Sequence, residues 1–120
     1  MTTFRREEID TLMEKTGLDR ETLDDIIRRI VEAAEPDKII LFGSAARGDM
    51  NRHSDVDLLI IKEGAHRGSL AGRIYENMHG AGAAVDVVVV TPDDVERYKD
   101  SHALVIKPAL REGRVVYESS

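Results

Sequence analysis

Between Leu41 and Ile61 the chain passes from an apolar strand pattern through Gly43-Ser44, the small residues Ala45-Ala46 and a polar stretch, then into a second apolar strand that opens on acids. Ten residues separate Ser44 from Asp55, and one separates Asp55 from Asp57. Alternate residues of a strand share a face, roughly 6.5–7 Å apart along the chain. Asp55 and Asp57 are therefore expected on one face, with Val56 and Leu58 on the other. Aspartate is depleted in strands, so two at a strand start ask for a reason. A hard cation such as magnesium supplies one, because it is usually held by one or two carboxylates together with substrate phosphates. Gly43 lets a phosphate come close to the backbone. Ser44 would present a hydroxyl and an N–H at a helix N-terminus, where anions are favoured. A plain Gly-Ser turn and an Asp55 that merely caps a turn with Ser54 are the bland alternatives. Either is ordinary alone, but both at this spacing between two apolar strands are not.

A third acid lies further on. Ala84 to Val90 is a near-continuous apolar run interrupted by Asp86. Such a run predicts a strand buried on both faces. An isolated ionised carboxylate there would cost several kcal/mol, so it is expected to be paired, protonated or metal-bound. With this strand beside the one carrying Asp55 and Asp57, the three acids converge. The competing reading of Asp86 is a structural salt bridge to Arg47 or Arg73.

Gly43-Ser44, Arg47-Gly48, Ser54-Asp55-x-Asp57-Leu58 and Val85-Asp86-Val87 together resemble the nucleotidyltransferase superfamily that includes DNA polymerase β. Within it the chain is most similar to the minimal nucleotidyltransferases, over roughly Leu23 to Tyr117. The resemblance implies an α/β (α+β) core, a small mixed sheet of about four strands flanked by helices. It implies that Asp55, Asp57 and Asp86 are catalytic and hold two magnesium ions. It implies that Gly43 and Ser44, with Arg47 beside them, hold a nucleoside triphosphate, with ATP as donor. Minimal nucleotidyltransferases are often encoded beside small helical HEPN proteins, commonly ribonucleases. The resemblance thus implies an antitoxin that transfers AMP to a tyrosine of a HEPN-type toxin. Two alternatives stay open: transfer to a small-molecule hydroxyl of the aminoglycoside kind, and a non-catalytic module that neutralises a toxin by binding alone.

Composition bounds these readings. At 120 residues a single domain, 1–120, is expected. No cysteine is present, which excludes disulfides and zinc–thiolate sites and suits a cytoplasmic setting. The charged start from Arg5 onward does not read as a signal peptide, and no apolar run approaches the ~20 residues of a membrane span. The formal net charge of -6 opposes electrostatic binding of nucleic acid. It suits a basic partner. Whether the chain forms a homo-oligomer is left open.

The remaining pattern is that of a small mixed domain. Phe4, Ile9, Leu12 and Met13 predict a short helix stopped at Gly17. Leu23, Ile26, Ile27, Ile30, Val31 and Ala34 predict a longer one, with Asp19 as cap, Leu18 and Leu23 as a staple and Pro36 as terminator. Strands are expected over Lys38–Phe42, Val56–Ile61, Val85–Val90 and Arg114–Tyr117. A loop is expected over Lys62–Gly68, then a short helix marked by Leu70, Ile74 and Met78. Thr91-Pro92-Asp93-Asp94 signals a helix start with a capping box. A last helix, roughly Ser101 to Glu112, is interrupted or restarted by Pro108. His53, His66, His79 and His102 have no metal-ligand spacing and read as surface residues. Tyr75 and Tyr98 read as packed.

Overall fold

The computed structural model describes residues 20–43, 56–64, 66–99 and 106–119. The predicted first helix, the Asp19 cap and the Leu18 staple lie outside them. Helix α1 (Arg20–Ala34) buries Leu23, Ile26, Ile27, Ile30 and Ala34, the stripe that a 3.6-residue period dictates. Its outer side is tied by Arg28 to Asp25 and Glu32, and by Arg29 to Asp25. The helix ends where Glu35 enters the left-handed region (φ +46°) ahead of Pro36. Lys62 Nζ donates to the Glu35 carbonyl at 2.9 Å, which anchors this unfavourable turn from across the sheet.

Strands β1 (Lys38–Phe42), β2 (Val56–Ile61), β3 (Val85–Val90) and β4 (Arg114–Glu118) form one sheet in the order β3-β2-β1-β4. β1 is antiparallel to β2 and β4, and β2 is parallel to β3. A parallel neighbour requires a crossover, and helix α2 (Arg67–Glu76) provides it. The helix begins inside the predicted loop, at Arg67 rather than after Gly68.

The sheet has a core on each face. On one, Ile39, Leu41, Leu58, Ile60, Val87 and Val116 pack against α1 and against Leu70 and Ile74 of α2. On the other, Ile40, Leu59, Ile61 and Val90 pack against Ile106 and Ala109 of helix α4 (Ile106–Glu112), with Val95 and Tyr98 of helix α3 (Pro92–Tyr98) alongside. β2 is covered on both sides, as a central strand should be. β3 is not, which corrects the expectation of a strand buried on both faces. It forms an edge of the sheet; only Val87, Val89 and Val90 are buried, and Asp86 is exposed. Its apolar composition reflects the covered C-terminal half.

Two further features set the architecture. Helix α3 opens on a complete capping box. The Asp94 N–H donates to Thr91 Oγ1 at 3.1 Å, and the Thr91 N–H donates to Asp94 Oδ2 at 3.0 Å. The other Asp94 oxygen meets Arg67 of α2 at 2.7 Å, so one buried carboxylate joins two helix starts. Pro108 sits in the first turn of α4, where its missing N–H has no intrahelical acceptor to lose. Gly113 then turns the chain into β4. A Cβ there would collide with the Ala109 carbonyl and the Ile40 side chain.

Candidate active site

The end of the sheet where β1 finishes and β2 and β3 begin brings Asp57 and Asp86 together. Phe42 is the register partner of Asp57 across the antiparallel pair. Asp57 is the register partner of Asp86 across the parallel pair. Adjacent strands lie about 4.8 Å apart, and register partners share a face. Asp57 and Asp86 therefore project side by side on the face that carries α3 and α4. Their strand neighbours Val56, Leu58 and Val87 turn into the opposite core, as period-two alternation requires.

Gly43 closes this end of β1. Its φ is +72°, a region that costs other L-residues roughly 1–2 kcal/mol. A Cβ on Gly43 would fall on Asp57 Oδ2. The sequence suggested that this glycine clears space for a phosphate. The described residues give a nearer reason: the strand end must pass over the Asp57 carboxylate, and only a residue without a side chain can do so.

Asp86 has a partner that the sequence did not suggest. The Tyr75 hydroxyl accepts the Val87 N–H at 2.9 Å and donates to Asp86 Oδ1 at 3.3 Å. Among the described residues Asp86 pairs with Tyr75 and not with Arg73, so the salt-bridge alternative to Arg73 is not realised. Tyr75, expected to be packed, is 42% exposed. His66 and His79 are exposed, as expected. Ser44, Arg47 and Asp55, and with them His53 and His102, lie outside the described residues.

Two carboxylates in adjacent register repel each other and make an oxygen-only donor pair of the kind that hard divalent cations favour. Gly43 lies directly over Oδ2 of Asp57, where any side chain would collide with it. Among the described residues no group of three or more His, Cys, Asp or Glu side chains forms a metal cluster. Asp57 and Asp86 are a pair to which any third ligand must be added. The chemistry of this donor set fits magnesium.

The sequence matches the family model described as the nucleotidyltransferase domain over residues 23–116. The chain belongs to the nucleotidyltransferase domain family. Among solved structures, the chain is similar in fold to a Sulfolobus solfataricus protein assigned to the nucleotidyltransferases. That match has a TM-score of 0.52 at 21% identity and covers 80% of this chain and 84% of the other. A second similar structure is a toxin–antitoxin with AMP-PNP, with a TM-score of 0.50 at 19% identity, covering 81% of this chain and 73% of that one. No curated protein matches the sequence. The four-stranded mixed sheet with helices on both faces is thus the nucleotidyltransferase core, and the Asp57–Asp86 pair lies at one end of it.

Proposed function

We propose that this nucleotidyltransferase transfers AMP from ATP to a tyrosine hydroxyl of a HEPN-type toxin and so acts as an antitoxin. The observation that carries the reading is the register pairing of Asp57 with Asp86, beside a glycine that cannot bear a side chain, in a chain of this family. A structurally similar protein that is a toxin–antitoxin with AMP-PNP supports both the donor and the kind of partner. We read residues 1–120 as a single catalytic domain that acts on a hydroxyl of the toxin.

In this reading Asp55, Asp57 and Asp86 are the catalytic carboxylates and hold two magnesium ions. Gly43, Ser44 and Arg47 hold the triphosphate. The ions, when bound, neutralise developing charge and orient the attacking and leaving oxygens. Asp86, the more exposed of the two described acids, takes the proton from the acceptor hydroxyl. The hydroxyl oxygen bonds to the α-phosphorus, the α–β phosphoanhydride breaks, and pyrophosphate leaves. Ser44 and the Gly43 backbone orient that leaving group. The net negative charge suits a basic, RNA-handling partner.

The test is mass spectrometry of a HEPN-type protein from the same genome after incubation with this protein, ATP and magnesium. A tyrosine gaining one or more AMP units is expected. An unmodified partner that is nonetheless silenced would favour neutralisation by binding alone.

A further inference from the structure

Asp86 stands on the exposed half of an edge strand, yet its side chain is not left to choose its own rotamer. Tyr75 belongs to α2, which packs on the opposite face of the sheet, and its ring reaches round the β3 edge. The Val87 N–H points out of the sheet at that edge and would have only water as acceptor. It donates instead to the Tyr75 hydroxyl. That bond fixes the position of the hydroxyl oxygen, and the phenolic proton is directed at Asp86 Oδ1. One hydroxyl therefore joins a crossover helix, an edge-strand amide and a carboxylate that pairs in register with Asp57.

The geometry points to Tyr75 as a positioning residue for Asp86. An exposed aspartate samples several staggered rotamers, and recruiting it as a ligand costs the entropy of choosing one. A partner anchored to the backbone removes much of that choice in advance. Groups that hydrogen-bond ligating carboxylates orient them, and losing one typically weakens metal affinity about tenfold or more. The inference rests on Asp57 and Asp86 being acids of the proposed metal site. The competing role for Tyr75 is to cover the strand edge, which would affect folding but not the metal.

Binding of Mn2+, followed through the electron paramagnetic resonance signal of the free ion, separates the two roles. Four proteins are compared: the natural chain, Tyr75→Phe, Asp86→Asn and the double variant. Tyr75→Phe is expected to bind Mn2+ about tenfold more weakly, and to have no further effect once Asp86 is Asn. Undiminished binding in folded Tyr75→Phe would overturn the inference. So would an equal weakening by Tyr75→Phe in the Asp86→Asn background, because the tyrosine would then act elsewhere. If the edge does not tolerate Phe, replacing Tyr75 by O-methyltyrosine gives the same comparison, since its ether oxygen can still accept the Val87 N–H but has no proton to donate to Asp86. No saturable Mn2+ binding by the natural chain would instead overturn the metal site in the proposed function, and this inference with it.

Discussion

At the level of single residues, Gly43 and Asp57 form a coupled pair. Gly43→Ala is expected to destabilise the protein by about 1–2 kcal/mol from its backbone conformation alone, and by more from the collision with Asp57 Oδ2. The second part should largely vanish in an Asp57→Ala background, which removes the oxygen but not the φ penalty. Urea unfolding of the four proteins of this cycle measures the coupling. Asp57→Asn keeps the shape and removes a charge facing Asp86. Its thermal midpoint without metal should hold or rise, while nucleotide transfer is lost. Full transfer activity in the folded variant would refute the catalytic role. Asp57 and Asp86 stood out in the sequence because acids break an apolar strand pattern visibly, but the burial argued for Asp86 fails at its exposed edge position. Tyr75 was not legible. It meets Asp86 only because α2 crosses over the sheet and returns a tyrosine to the edge of β3, and no local spacing records that.

Among the elements, helix α3 shows how much local sequence can dictate. Thr91-Pro92-Asp93-Asp94 predicted a capping box, and both of its hydrogen bonds are present. What the sequence did not show is the third partner, Arg67, which arrives from α2. The backbone N–H of Thr91, then the Thr91 hydroxyl and the Arg67 charge, hold the Asp94 carboxyl below the usual carboxylate range. A depressed folded-state value means that its contribution to stability is full above the ordinary aspartate value near 3.9. That contribution is lost as pH falls through the lower folded value. Asp94→Asn is therefore expected to flatten the acid side of the stability–pH curve, as measured by urea unfolding between about pH 2 and pH 7. Thr91→Ala should cost about 1 kcal/mol near neutral pH. β3 is the opposite case. Its run of valines reads as a fully buried strand, but composition cannot tell a central strand from an edge strand with one half covered. That distinction depends on sheet order, which the crossover connection determines.

For the molecule as a whole, the fold and family follow from motifs that span nearly the whole chain. The acceptor does not, because nothing in a catalytic core specifies the shape of a second protein. In the proposed site the described acids are too few to fill the octahedral shell of magnesium, and the remaining positions are expected to go to triphosphate oxygens when ATP is bound and to water without it. ATP without metal would set its phosphates against like-charged carboxylates. ATP and magnesium together are thus expected to raise the melting temperature far more than either alone, by an amount equivalent to about 2.7 kcal/mol at a hundred times Kd. Equal stabilisation by ATP alone would contradict a metal-bridged nucleotide site. The central claim is that the nucleotidyl group, and no other part of ATP, is transferred at the Asp57–Asp86 end of the sheet. Its most direct test is to incubate the protein, magnesium and a HEPN-type partner with ATP radiolabelled at either the α- or the γ-phosphate. Covalent label on the partner from the α-position only, absent with Asp57→Asn, is the expected result. Label from the γ-position, or α-label that survives in Asp57→Asn, would contradict it.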